Sequence, residues 1–354
     1  MDYIEAAKRA VKGIASPVLD FCGVYDTLIE RRLFVQPSWV ILMYHRVVAS
    51  RAEDPHRLGM CVERDHFAEQ IEYHVRNFSP ICMGDAISRL NAGKPLPRNA
   101  VSITFDDGYQ DFADVALPVL RRFQCPATVF VNVGGLAENR PFWWDEIIDA
   151  VHRTRVDEID VRFLNADASP AQLPLRSRHR RRTLMRLQFM FWQLRPERID
   201  DALAELKQRL QVSGRGRLLA PRMSPAEIAR VAGEGVEIGA HCESHVDMRR
   251  LSDDECRHEL MVSRQVLQEI SGQPVTGFAY PGGLQSERVQ KLVAHAGYGY
   301  AAGIGRGVNR QPFDIYNLRR IGMPDSGISD YKRCLGMAAG VSEPVMGYES
   351  VLWP

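Results

Sequence analysis

Apolar residues recur through the first 34 positions at alternating steps of three and four: Ile4, Ala7, Val11, Ile14, Val18, Phe21, Tyr25 and Leu28. That spacing predicts helix with one apolar face over residues 2–34. Ser16-Pro17 interrupts the run. Serine suits an N-cap and proline the first helical position, so two helices with a bend are expected. Trp39–Tyr44 is a short unbroken apolar run ending at His45. It predicts a strand buried on both faces. Helix follows over Asp65–Arg76, then a strand over Val101–Phe105 between Pro97 and Gly108. A helix over Asp114–Phe123 and a strand over Ala127–Val133 come next, the strand stopping before Gly134-Gly135. Alternation of this kind predicts a parallel α/β core.

The rhythm breaks across residues 145–222, which read as mostly helical, Arg-rich and interrupted by Pro196. It resumes at Ser224, an N-cap with Glu227 at the third helical position, and a second such box stands at Ser252 and Glu255. Between them a strand over Val236–Ala240 ends on His241. Beyond the stop at Gly272, a strand over Thr276–Tyr280 leads into Pro281-Gly282-Gly283. A helix to Gly297 and strands near Tyr298–Ala302 and Tyr316–Ile321 complete the series. The expected organisation is an N-terminal helical segment (1–36), one α/β domain (37–335) with a helical insertion (145–222), and a tail (336–354).

At 45% hydrophobic and 25% charged residues the composition is ordinary for a globular chain. A net charge of +1 supplies no field that would draw nucleic acid. The seven cysteines form no Cys-x-x-Cys pair, which fits a reducing compartment better than a disulfide scaffold. The N-terminus lacks the apolar core of a signal peptide, and no apolar run approaches the ~18 residues of a membrane span. A cytoplasmic protein is expected, with any membrane contact peripheral. Lys8, Arg9, Lys12, Arg31 and Arg32 flank the N-terminal stripe, offset by Asp2, Glu5, Asp20, Asp26 and Glu30. Packing on the core and lying on a membrane surface both remain open for it. The sequence fixes no oligomeric state.

The residues with chemical potential stand at strand ends: His45, Asp106-Asp107, His241 and the Pro281 loop. In a barrel-like α/β fold that is the catalytic rim. In Thr104-Phe105-Asp106-Asp107-Gly108-Tyr109, neighbouring carboxylates diverge at the strand end, so one can ligate a metal while the other serves as a base. Gly108 permits a sharp turn. An ordinary strand-to-turn boundary uses the same residue types. His241 and His245, four apart, can face one ion from a helical turn or a tight loop. With Asp107 they make a two-His, one-carboxylate set that leaves a coordination position open, as catalytic zinc sites do. Iron(II) or another divalent ion suits the same donors. Phe142-Trp143-Trp144-Asp145 reads either as packing beneath the insertion or as a platform for a sugar ring, with Asp145 accepting from a hydroxyl. The basic run Arg176, Arg178, Arg180, Arg181, Arg182 and Arg186 reads either as a solvated helix face or as a contact for an anionic ligand or lipid head group.

TFDDGY, then His-x-x-x-His, then a strand ending in Tyr-Pro-Gly-Gly resembles, in that order, the polysaccharide deacetylases with a NodB-type homology domain (carbohydrate esterase family four). The resemblance runs from Val40 to Met323 around the insertion. It implies a distorted (β/α) barrel with fewer than eight strands. It also implies removal of an N-acetyl group from an amino sugar in a polysaccharide, an oligosaccharide or a lipid-linked form. Asp106 matches the catalytic base. Asp107, His241 and His245 match the ligands of a divalent metal, with Zn2+ expected and Ni2+, Co2+ or Fe2+ as alternatives. The Tyr109 N–H matches the oxyanion donor, and Pro281 and Gly282, with Trp143, Trp144 and Asp145, fall where substrate would bind. Three positions depart from the pattern. Cys242 stands where Ser or Thr is usual. Ala279 stands where an Arg usually pairs with the base, leaving Arg319 or Arg320 to substitute. Asn317-Leu318-Arg319-Arg320-Ile321 replaces the Leu-x-His that carries the general acid. A subgroup similar to the poly-N-acetylglucosamine deacetylases takes that histidine from an N-terminal Tyr-His, and Tyr44-His45 resembles it, making His45 the acid. Hydrolysis of a different amide in a small metabolite, and a non-catalytic sugar-binding role, are the competing readings.

Overall fold

The computed structural model describes residues 16–33, 38–54, 60–305 and 307–339. Its strands are β1 (Ser38–Tyr44), β2 (Arg46–Val48), β3 (Cys61–Glu63), β4 (Ser79–Pro80), β5 (Ala100–Phe105), β6 (Ala127–Val131), β7 (Glu158–Asp160) and β8 (Gln172–Pro174). They continue with β9 (Glu237–Ala240), β10 (Gly277–Ala279), β11 (Tyr300–Ala302), β12 (Asn309–Arg310) and β13 (Ile321–Gly322). The main sheet runs β11-β10-β9-β6-β5-β1-β12, with β13 also on β1 and β4 also on β5. Every pairing in it is parallel except β1 with β12. This is the α/β barrel expected, curled and incomplete.

The segment 315–323 joins the two edges of that sheet. Its Leu318 bridges Ala302 of β11, while Ile321 and Gly322 pair with Leu42 and Met43 of β1. Gly303 N donates to Leu318 O, Gly305 N to Arg320 O, and Met323 N to Met43 O. The expected strand near Tyr316–Ile321 is thus mostly an irregular stitch, regular only at β13. It matters because it carries Arg320 into the barrel.

Side chains alternate along β1, as the strand period requires. Trp39 and Ile41 join Phe130, Ala279 and Leu318 in one cluster, whereas Val40, Leu42 and Tyr44 join the larger cluster beneath the helices. All seven residues of β1 are buried. On β5, Ser102 and Thr104 turn inward. Trp39 Nε1 donates to Ser102 Oγ, and Thr104 Oγ1 to Leu42 O, so Asp106 leaves the strand on the inner face.

Ser224 and Ser252 cap the helices Pro225–Gly233 and Asp253–Ser271 with the reciprocal glutamate bonds expected, and Gly272 ends the second helix in a left-handed turn (φ 66°). Residues 145–222 form the helices Trp143–Arg153, Arg180–Trp192 and Pro196–Arg209 together with the small antiparallel pair β7–β8. That pair, the short β2–β3 pair and the helix Met83–Asn91 have no counterpart in the sequence reading. The basic run of the insertion largely closes on the protein itself. Arg180 donates to the carbonyls of Leu175, His152 and Thr154, and Arg186 to that of Ser169.

Of the N-terminal stripe, Ile4, Ala7, Val11 and Ile14 lie outside the described residues. The rest is helical over 16–21 and Val24–Leu33, bent at Gly23 (φ 72°). Tyr25, Ile29 and Leu33 are buried, whereas Val18 and Phe21 are 58% and 95% exposed, so the bend divides the predicted face. The helix Ile328–Ala339 packs against Val24–Leu33. Lys332 Nζ holds Asp20 and Asp26, and Arg32 donates to Gly336 O. This helix crosses the boundary expected at residue 335.

Candidate active site

Asp106 directly follows β5, and Asp107 takes a left-handed backbone (φ 73°), as does Gly108 (φ 89°). The turn aims the two carboxylates differently. A Cβ at Gly108 would lie 2.9 Å from Val131 Cγ1, so glycine is needed here for space as well as for conformation. Arg320 is fully buried and grips Asp106 in a two-pronged pair: Nη1 donates to Oδ1 at 2.6 Å and Nη2 to Oδ2 at 2.8 Å. Its Nε donates to Gly303 O. Burial alone would raise the Asp106 carboxyl, but the Arg320 guanidinium, helped by His241, outweighs it and holds the group at about 2. Of the two arginines left open by Ala279, Arg320 is the partner.

Asp107 is the opposite case. It is buried, and neither carboxylate oxygen has a hydrogen-bond partner among the described residues. His241 Nε2 and His245 Nε2 each stand 3.5 Å from its Oδ1. Burial and the neighbouring Asp106 push it well above the usual carboxylate range. Burial likewise keeps both histidines below their ordinary value, His245 far below. A buried carboxylate without a donor, faced by two neutral imidazole nitrogens, is the donor set a divalent cation takes. The three residues fit the implied metal.

His241 follows β9, and its Nδ1 bonds Ala279 O at 2.8 Å, which leaves Nε2 for the ion. His-x-x-x-His is a loop here, with Cys242 (φ 65°) and His245 (φ 51°) left-handed. Two side chains brace it. Asn132 Nδ2 donates to the carbonyls of His241, Cys242 and Glu243, and Glu259 accepts from the N–H groups of Glu243 and Ser244. A Cβ at Gly134 would meet Glu243 O at 2.2 Å, so the β6 loop touches the histidine loop directly. Nothing in the sequence singled out Asn132 or Glu259.

His45, Asp106, Asp107, His241, His245 and Gly282 line one narrow cavity of about 30 Å3. Trp143, Trp144, Trp192, Met60 and Ile304 give it apolar walls, and Gln188 adds a polar point. Burial lowers His45 to about 4, against the pull of Asp106. Trp144 lies 4.3 Å from the His245 ring, stacks on Phe142 at 4.4 Å, and donates from Nε1 to Tyr109 Oη. The aromatic cluster is therefore both packing and cavity wall. Pro281 is buried at the start of the turn that places Gly282. Asp145, expected at a sugar hydroxyl, is buried off the cavity lining, where burial raises it to about 7 against the pull of Arg46. The Tyr109 N–H makes no hydrogen bond among the described residues, although the flanking Gln110 N and the Gly108 carbonyl do.

A curled parallel barrel with this carboxylate–histidine set at its rim defines the NodB-type class of α/β barrels. The chain belongs to the polysaccharide deacetylase family, whose model matches residues 93–159 and 190–301, together half of the chain. It is 30% identical over 129 residues to the poly-beta-1,6-N-acetyl-D-glucosamine N-deacetylase of Escherichia coli strain K12. The aligned stretch is 35% of this chain and 19% of that protein, so the match spans about a fifth of the length of the curated relative. Among solved structures, the Streptococcus pyogenes deacetylase PplD in complex with acetate superposes with a TM-score of 0.55 at 17% identity, over 83% of this chain and 96% of that one. IcaB from Ammonifex degensii gives 0.53 at 18% identity, over 86% and 98%.

Proposed function

We propose that the protein is a divalent-metal-dependent deacetylase that hydrolyses the N-acetyl amide of an amino sugar to acetate and a free amine. The observation that carries this reading is the division of labour between adjacent aspartates. Arg320 holds Asp106 ionised, and Asp107 is left, among the described residues, without any donor beside His241 and His245. An ion held by Asp107, His241 and His245, zinc by its ligand set, would supply Lewis acidity at the acetyl carbonyl and acidify water. Asp106 takes the proton of the attacking water. The unbonded Tyr109 N–H stabilises the oxygen of the tetrahedral state. His45 is neutral in the free site. With substrate in place it receives the proton that Asp106 took from water and gives it to the leaving nitrogen. The indole walls exclude bulk water and strengthen each of these interactions.

Arg320 also bears on the two competing readings. A protein retained only to bind sugar has no need of a buried guanidinium clamped on the base, so the pair favours catalysis. A panel of nucleotide-linked, lipid-linked, oligomeric and single N-acetyl sugars, assayed for acetate alongside small non-sugar acetamides, tests the reading. Release from no sugar, or release from the acetamides alone, overturns it.

A further inference from the structure

The helix Arg180–Trp192 buries Leu184, Gln188 and Trp192, spaced i, i+4, i+8 on one face. The middle position of that face is polar. Gln188 is only 4% exposed, lines the catalytic cavity, and its amide makes no hydrogen bond among the described residues. Its amide atoms are open to the cavity rather than sealed in protein, so their hydrogen-bonding capacity is available to a ligand. In the same lining the Trp143 indole N–H is buried and without a partner among the described residues. Gln188 and the Trp143 N–H are thus polar groups of this cavity outside the set of His45, Asp106, Asp107, His241 and His245.

An amide both donates and accepts, which is the complement of a hydroxyl. We infer that Gln188 reads a ring hydroxyl of the N-acetylated sugar, making the inserted helix the element that selects a sugar over a plain amide. The inference rests on the deacetylase reading above and names the specificity residue of that site. Gln188 falls between the two stretches matched by the family model, so this selectivity belongs to the insertion rather than to the family's shared core. The cavity of about 30 Å3 has room for about two waters, so a sugar ring lies at its mouth. On this inference that ring lies against Trp143 and Trp144, with a hydroxyl toward Gln188.

The test compares a methyl glycoside of an N-acetylated amino sugar with N-cyclohexylacetamide, a ring of the same size without hydroxyls. Gln188→Met keeps the shape of the side chain and removes both hydrogen-bonding groups, and Gln188→Leu serves as a second variant should the first fold poorly. Expected is a roughly 10- to 100-fold loss in the preference of kcat/KM for the sugar, carried mainly by KM. Calorimetric binding of the glycoside to Asp106→Asn protein should weaken by a similar factor when Gln188→Met is added. An unchanged preference and unchanged binding would overturn the inference, because a glutamine that merely holds a water moves neither. If wild-type protein deacetylates no sugar, the deacetylase reading itself fails and this inference with it. If wild type is active and the variants keep its preference, only the role of Gln188 fails.

Discussion

Arg320 meets both carboxylate oxygens of Asp106 across 214 residues of sequence, with neither side chain more than 2% exposed. The pair exists because the stitch that joins β11 to β1 carries Arg320 into the barrel, where its side chain reaches the carboxylate that follows β5. Joining the sheet's two edges and setting the charge of the base are one structural event.

Breaking that pair should therefore cost stability as well as activity. Arg320→Ala leaves a buried carboxylate uncompensated, a change that typically costs about 3–5 kcal/mol. Arg320→Lys keeps the charge but cannot span both oxygens, and should fall between the two. Urea midpoints of the three proteins give the comparison. An Arg320→Ala protein as stable as wild type would mean that the pair contributes nothing to the joined sheet.

How far the sequence led depends on whether a group's partners are near it in the chain. Asp106-Asp107 and His241–His245 were legible because each pair is close in sequence and follows an apolar strand. The capping boxes at Ser224 and Ser252 were legible for the same reason. Arg320 was one of two adjacent candidates, since the choice depends on the register of a segment with almost no regular structure. Gln188 and Trp192 were invisible as site residues because only tertiary packing brings the insertion to the rim. Asp145 followed two tryptophans that do reach the cavity, but the helical turn points it away from them. The strands β7 and β8, three residues each, are too short to show a period.

The adjacent aspartates should separate cleanly by substitution. Asp107→Ala, His241→Ala and His245→Ala should each lower the content of bound divalent ion, measured by elemental analysis after dialysis. Asp106→Asn should retain the ion and lose activity by roughly 10²–10⁴. Were Asp106→Asn to strip the metal and Asp107→Asn to keep it, the two assignments would have to be exchanged.

His45 is expected to matter in proportion to the basicity of the leaving group. His45→Ala should keep its metal and slow release of acetate from an N-acetyl amine, with a smaller loss on an activated acetate ester whose alcohol departs unprotonated. Equal losses on the two substrates would remove His45 from the role of acid.

Gly134 tests whether the β6 loop positions the histidines. Its amide donates to Glu243 O at 3.0 Å, and an added Cβ would stand 2.2 Å from that same oxygen. Gly134→Ala must push the histidine loop outward or leave the bond unmade. A cost of about 1–3 kcal/mol and weaker metal retention are expected together. Retention unchanged at reduced stability would uncouple the loop from the site.

The joint between the helices Arg64–Asn77 and Ile328–Ala339 should make stability depend on pH far from the catalytic rim. His74 is fully buried there, bonded through Nε2 to the Tyr331 hydroxyl, with Phe78 against its ring at 4.9 Å and no partner for Nδ1 among the described residues. Burial lowers its pKa to about 3, whereas an unfolded histidine titrates near 6.5. Below roughly pH 6.5 the unfolded chain binds a proton that the folded protein refuses, so the folded state loses about 1.4 kcal/mol per pH unit until the folded group itself titrates near 3. The contribution is fully present at neutral pH and drains away on acidification, the sign opposite to that of a histidine stabilised as a cation. His74→Gln can still reach Tyr331 but cannot take up a proton in this range. Urea unfolding measured from roughly pH 6.5 down to roughly pH 4.5 should show the wild-type slope reduced by about one proton in the variant. Parallel slopes would mean that His74 is protonated in the folded protein, and the helix joint must then open to water at mildly acid pH.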